Sequence, residues 1–361
     1  MSNVRLEGIV KRYGEVLAAR IDKLDIGDGE VVALLGPSGC GKTTTLRIVA
    51  GLVAQDQGTL HFGDREVTRV APERRNAAMV FQNYALFPHM TVYQNIAFGL
   101  EVRKFSKTDI ARKVAAVLDL VKLPGMGERL PKQLSGGQQQ RIAIARALAT
   151  EPDVLLFDEP LSNLDAKLRE YMRIELRNLL VSLKTTTLYV THDQTEAMVI
   201  SDRVVVMDKG SVVQVDTPSN VYLRPANRFV AEFVGSGSFI PGQVKSIAAG
   251  VGTGAVVTTD DGLDIAGSAC AALRVGEKAL LCVRPEAVEL RRARAGLDTA
   301  GLTSHAGRIE TVADVGELID YEVRLGSWLV RTRSLSVRER FEQGELVSAV
   351  LDPDRCLVLA A

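Results

Sequence analysis

Cysteine is scarce: four residues in 361, at positions 40, 270, 282 and 356. Their spacing matches neither a metal-ligating pattern nor a dense disulfide framework, and a reducing, cytoplasmic setting fits best. Net charge is also missing. Forty-four Lys and Arg balance forty-four Asp and Glu, which argues against a nucleic-acid binder held by a broad positive field. No run approaches the ~18 apolar residues needed to cross a bilayer, and Met1-Ser2-Asn3-Val4-Arg5 carries no signal-peptide core. What remains is ordinary for a soluble globular protein, with 46% hydrophobic and 24% charged residues. The length allows two or three domains. Such a chain can still dock on a membrane protein.

The most informative stretch is Gly36-Pro37-Ser38-Gly39-Cys40-Gly41-Lys42-Thr43-Thr44. A buried-strand run, Glu30 to Leu35, precedes it, and a largely apolar helix start, Thr45 to Ala50, follows. Strand, glycine-rich turn and helix form the context of a phosphate-binding loop. Glycines let backbone N–H groups curl around phosphate oxygens. The helix start adds unpaired N–H groups and its positive dipole end. Lys42 supplies a charge for the β- and γ-phosphates, and Thr43 a hydroxyl for Mg²⁺. An ordinary glycine turn accounts for a lone triplet but not for this full spacing.

Residues 4–10 read as a strand and Lys11 to Gly14 as a turn, whose Tyr13 either stacks on adenine or packs on the sheet. Gln82 ends the short strand Ala77 to Phe81, where its amide either reaches a metal and its waters or simply closes the strand. The apolar loop 83–92 is either folded inward or a docking surface. Residues 106–121 read as a helix capped by Ser106, with positions 110, 114, 117, 118, 120 and 121 as its core face.

Leu134-Ser135-Gly136-Gly137-Gln138 opens another helix, giving either a second anion site or a simple capped helix. One nucleotide loop and a second phosphate grip together suggest a head-to-tail dimer sharing ATP between Lys42 of one copy and Ser135 of the other. Val154 to Phe157 is a buried strand that delivers Asp158 and Glu159 to the ligand end of a parallel sheet. Asp158 would hold Mg²⁺, and Glu159 would polarise the attacking water. The next buried strand, Thr186 to Val190, delivers His192 towards Glu159 or the γ-phosphate. After Gly235-Ser236-Gly237-Ser238 the composition shifts to short strand-like runs between glycine turns, a small barrel-like β domain built as one lobe or two. Arg284-Pro285-Glu286 in it reads as positioning a turn.

These motifs, in this order, resemble the ATP-hydrolysing subunits of ABC transporters over residues 4–235. The whole chain resembles the importer branch with a C-terminal oligobinding-like β domain. The resemblance implies an α/β P-loop ATPase core with a helical subdomain (residues 1–235), followed by a small all-β barrel-like regulatory domain (236–361). It makes Tyr13 the adenine-stacking aromatic and Gly36 to Thr44 the phosphate loop. Gln82 becomes the glutamine loop, which touches Mg²⁺ and senses the membrane partner. Leu134 to Gln138 is the signature, including Ser135, Gly136, Gly137 and Gln138. Asp158 is the metal-coordinating aspartate, Glu159 the catalytic carboxylate, Asp165 part of the loop at the dimer interface, and His192 the switch histidine. ATP and Mg²⁺ are the implied cofactors. The implied partners are a second copy, two permease subunits or domains and an extracytoplasmic solute-binding protein, at the cytoplasmic face of the inner membrane. Tyr84, Leu86 and Phe87 would then line a groove for a permease coupling helix. A soluble ABC protein of repair or translation fits the β tail poorly, and a non-hydrolysing regulatory module fits the intact Glu159 and His192 poorly. For cargo, Gly235 to Gly242 departs from the Ser-Pro-x-Met-Asn segment of carbohydrate importers. The expected solute is therefore ferric iron, ahead of polyamine, phosphonate or sugar.

Overall fold

The computed structural model describes residues 2–248, 254–292, 303–336 and 339–361. Two compact units make up the chain, Met1–Pro218 and Ser219–Ala361. This division lies earlier than the one expected after residue 235.

The first unit starts with β1 (Val4–Tyr13), β2 (Val16–Ile26), β3 (Val31–Leu35) and α1 (Lys42–Ala50). Next come β4 (Gln57–Phe62), β5 (Arg65–Glu66), β6 (Ala77–Val80) and three helices, α2 (Val92–Val102), α3 (Lys107–Leu120) and α4 (Gly136–Ala149). It closes with β7 (Val154–Asp158), α5 (Ala166–Leu183), β8 (Thr186–Thr191), α6 (Gln194–Ile200), β9 (Arg203–Asp208) and β10 (Ser211–Asp216). All ten strands join one sheet in the order β5-β4-β1-β2-β10-β9-β3-β8-β7-β6. The half from β9 to β6 is parallel. Its strands β3 and β8 are buried throughout, as strands covered on both faces must be.

The period of two along a strand then sorts side chains between two cores. Leu155, Phe157 and Tyr189 face the cluster built with α2 to α5. Val154, Leu156, Leu188 and Val190 face the cluster containing Leu46, Ile48 and Val49 of α1. Each such fully buried aliphatic or aromatic side chain contributes about 1.5–3 kcal/mol. The sorting also fixes the chemistry at the strand end. Asp158 shares the face of Val154 and Leu156 and so meets α1.

Two local expectations change. Lys11 to Tyr13 do not turn but continue β1, because the Asp56 carboxylate takes the Lys11 ammonium (2.9 Å) and the Arg12 N–H (2.7 Å). Leu120, expected on the core face of α3, is exposed while Ile110, Val114, Val117 and Leu118 are buried. Strand β10 was not legible: every residue in it is half-buried, so no face is marked by the pattern.

The second unit begins with α7 (Pro218–Leu223) and α8 (Arg228–Phe233). Strands β11 (Ser238–Ile247), β12 (Gly254–Thr259), β13 (Asp264–Ala269) and β14 (Lys278–Val283) follow. Then come β15 (Val288–Arg292), β16 (Thr303–Asp314), β17 (Leu318–Leu325), β18 (Trp328–Leu335), β19 (Leu346–Leu351) and β20 (Cys356–Ala360). A closed barrel, β11-β12-β13-β20-β14, and a five-stranded sheet, β15-β19-β16-β17-β18, share one core.

Arg284 explains why the short helices belong here. Its side chain is 1% exposed, stacks 4.4 Å from the Tyr222 ring centroid, and donates to the carbonyls of Ala231 (3.1 Å) and Ser236 (3.2 Å). Tyr222 in turn donates to Glu286, and burial with that bond pushes its hydroxyl up to about 12.

Asp261 joins the two layers. Its carboxylate accepts the Ser327 N–H (2.7 Å), the Ser327 hydroxyl (2.9 Å), the Trp328 indole N–H (2.8 Å) and the Thr259 hydroxyl (2.5 Å). The Ser327 N–H, followed by the Thr259 hydroxyl, holds the carboxyl well below its usual range. A depressed folded value means the stabilisation is full above the unfolded value of about 4 and fades as pH falls below it. Thermal melts from pH 6 to pH 3 should therefore show the gap between wild type and Asp261→Asn narrowing. A gap constant over that range would refute the role.

Candidate active site

The phosphate-loop segment bends tightly between β3 and α1. A Cβ on Gly36 would lie 2.3 Å from the Met207 carbonyl oxygen, and one on Gly41, at φ +103°, 2.2 Å from that of Ala18. Only glycine fits either position. Lys42 is buried, and its ammonium donates to the carbonyls of Gly36 (2.7 Å) and Pro37 (3.0 Å), with the Cys40 Sγ at 3.8 Å. The loop thus curls around the cation that a phosphate would share. Ser38, Gly39 and Thr44 complete the turn and the first residues of α1.

Next to it, the Thr43 hydroxyl donates to Asp158 Oδ1 at 3.3 Å. Burial pushes the Asp158 carboxyl up, and the Thr43 bond partly offsets this. A hydroxyl and a desolvated carboxylate make a hard oxygen pair suited to Mg²⁺, which takes one or two carboxylates alongside phosphate oxygens. Glu159 leaves the strand in a left-handed conformation, φ +46°. Its N–H donates to the Val190 carbonyl at 3.0 Å, and its carbonyl accepts the Ser162 hydroxyl at 2.9 Å. The turn aims its side chain at His192, with Oε2 3.0 Å from Nδ1. The structure therefore joins Glu159 to His192 across the adjacent strands β7 and β8, and Thr43 to Asp158 across β3 and β7 with β8 between them.

Other expected residues sit apart from this group. Tyr13 is exposed and pairs with Val16 at the end of the β1–β2 hairpin, with the Lys11 ammonium 5.4 Å from its ring centroid. Gln82 is exposed, and its carbonyl accepts from Asn163 at 2.8 Å. Ser135 caps α4 by accepting the Gln138 N–H (3.4 Å), while Gln138 Oε1 accepts the Ser135 N–H (3.0 Å). This is a capping box. Gly136 and Gly137 lie against Leu164 and Leu168. Asp165 caps α5 by accepting the Leu168 N–H at 2.9 Å.

Loop 83–91 is held from within. Tyr84 and Ala85 adopt φ +61° and +47°, a strained region for such residues. Arg146 of α4 donates to their carbonyls at 3.0 and 2.7 Å and lies over the Phe87 ring. The fully buried Asn95 side chain accepts the Phe87 N–H and donates to the carbonyls of Phe87, Met90 and Thr91. Tyr84 is consequently 7% exposed, so it does not line an open groove as expected. Leu86 and Phe87 remain half-buried. Neither Arg146 nor Asn95 stood out in the sequence. Asn95, a polar residue on the apolar face of α2, was the one available signal.

The ABC transporter family matches residues 20–162, and the TOBE domain family matches residues 281–359. The spermidine/putrescine import ATP-binding protein PotA of Rubrobacter xylanophilus is 44% identical over 99% of this chain and 93% of its own. The chain belongs to the ATP-binding subunits of ABC transporters. This ABC subunit binds and hydrolyses ATP and serves ATP-driven import. The sn-glycerol-3-phosphate import ATP-binding protein UgpC of Ralstonia nicotianae is 47% identical over 80% of each chain. That of Yersinia pseudotuberculosis is 52% identical over 65% of this chain and 66% of its own. A solved ATP-binding cassette, dimeric in a post-hydrolysis state with ADP and Pi, aligns at TM-score 0.53 and 31% identity, covering 60% of this chain and 98% of that one. Among the described residues of the ABC subunit, no helix is long and apolar enough to cross a membrane.

The ferric-iron expectation is corrected by these relatives, which carry polyamine and glycerol-phosphate names. An ATPase subunit does not touch the solute, so the Gly235 to Gly242 segment had no chemical reason to report it.

Proposed function

We propose that this chain forms a head-to-tail homodimer that drives import of a polyamine through two membrane permease subunits or domains. Lys42 and the loop N–H groups from Ser38 to Thr44 hold the ATP phosphates, and Tyr13 stacks on the adenine. Thr43 and Asp158 would hold Mg²⁺, with Gln82 as a further ligand; the ion would supply neutralisation of phosphate charge. Glu159 takes a proton from the attacking water while His192 orients it and meets the γ-phosphate. Ser135, Gly136, Gly137 and Gln138 of the other copy close over the same ATP, with Asp165 at the interface. Closure turns the permease outward, and hydrolysis returns it. The subunit would sit at the cytoplasmic face of the inner membrane.

The polyamine reading rests on one observation: the polyamine-named relative aligns over 99% of this chain, including the β unit. The glycerol-phosphate relatives align over 80% or less, and sn-glycerol 3-phosphate is the second reading. Titration calorimetry on the extracytoplasmic binding protein encoded beside this chain tests the choice. Tight binding of putrescine or spermidine supports the proposal. Tight binding of sn-glycerol 3-phosphate with no polyamine response overturns it and leaves the ATPase reading intact.

A further inference from the structure

Two residues beside His192 are anchored more firmly than His192 itself. The histidine side chain is 55% exposed and sits in the short link between β8 and α6. Before it, Thr191 is 1% exposed; its hydroxyl donates to Glu196 Oε2 at 2.8 Å and accepts the Asp193 N–H at 2.9 Å. After it, Asp193 Oδ1 accepts the N–H groups of Thr195 and Glu196, and Oδ2 meets Arg173 of α5 at 3.0 Å. The period of two in β8 puts Tyr189 and Thr191 on one face. The Tyr189 hydroxyl accordingly also reaches Glu196, at 3.0 Å.

Glu196 is 2% exposed, and burial pushes its carboxyl up. A buried carboxyl is an unfavourable choice for filling space, and an apolar residue would pack there at lower cost. One of its two hydroxyl partners is instead Thr191, the residue directly before His192. We propose that Glu196 is a positioning residue of the hydrolytic site. Through Thr191 it sets the direction of the β8–α6 link, so that His192 stays in register with Glu159. This rests on the reading of His192 as a hydrolytic residue. A plain fold anchor is the competing account, and the Tyr189 bond separates the two. Tyr189 holds Glu196 as well but lies further from His192.

The test uses the purified full chain and steady-state ATP turnover. Glu196→Ala and Thr191→Val should lower kcat by about tenfold to a hundredfold, the scale of a misplaced reacting group, with KM for ATP within about twofold. Glu196→Gln, which keeps an acceptor for both hydroxyls, should recover most of the loss. Tyr189→Phe should leave kcat close to wild type even where it lowers the melting temperature. In a His192→Ala background, Glu196→Ala should cost nothing further. Equal kcat losses in Thr191→Val and Tyr189→Phe overturn the assignment. So does an unchanged Glu196→Ala loss in the His192→Ala background. Near-normal turnover by His192→Ala alone overturns the reading of His192, and the role of Glu196 with it. Thr191→Val keeps the comparison available if Glu196→Ala does not fold.

Discussion

Glu159→Gln should lower ATP turnover by about 10²-fold or more while leaving ATP binding intact, because it removes the proton acceptor and little else. The amide matches the carboxylate in shape, and its oxygen can still meet His192 across the 3.0 Å gap that Oε2 spans here. The Lys42 cradle and the Thr43–Asp158 pair make no side-chain bond to Glu159, so the phosphates keep their partners. With hydrolysis blocked and binding preserved, the closed dimer should accumulate. Light scattering on the variant with Mg-ATP should give twice the monomer mass at concentrations where wild type hydrolyses its ATP and reopens. Near-wild-type hydrolysis by pure Glu159→Gln protein would reject Glu159 as the base.

Ser135→Arg should nearly abolish turnover by another route. In the isolated chain the Ser135 hydroxyl is used locally, as the cap of α4, and losing that cap costs about 1 kcal/mol. A 14-residue helix with Ile142, Ile144 and Leu148 in the core tolerates such a loss. A bulky guanidinium at the helix start leaves no room for a phosphate from a second copy. Fluorescent ATP should still bind at Lys42, but dimers should not form. Turnover should fall roughly 10²-fold, the scale of losing one donor to a developing charge. Ser135→Asp is the companion variant. Aspartate caps as well as serine, yet it sets a negative charge against the γ-phosphate, so loss of closure with an intact helix points to the shared site. ATP-dependent closure of Ser135→Arg at wild-type levels would reject the composite site.

What could be read from the chain was whatever local spacing dictates. The glycines of 36–41 are required by contacts a few ångströms away, yet strand, turn and helix announced them in sequence. The helix starts at Ser106 and Ser135 were also legible, since a cap and a periodic face are adjacent in the chain. So were the acidic strand end at Asp158 and the histidine after β8. The β unit was legible in class but not in detail, because short alternating strands pair over long separations and turn signals do not specify order.

Tertiary structure decided the rest. The chain by itself determined which groups are present: a phosphate loop, a signature helix start, two carboxylates and a histidine, each carried on a locally encoded element. Which of them meet was decided by the parallel order β3-β8-β7. That order sets Thr43 against Asp158 and Glu159 against His192, where the chain alone had left His192 between Glu159 and the γ-phosphate. The buried and half-buried charged groups followed the same rule. Arg146, Arg284 and Glu196 look in sequence like ordinary surface charges. They acquire their roles because carbonyls and hydroxyls from distant segments converge on them, and a buried charged group persists only where such partners are supplied.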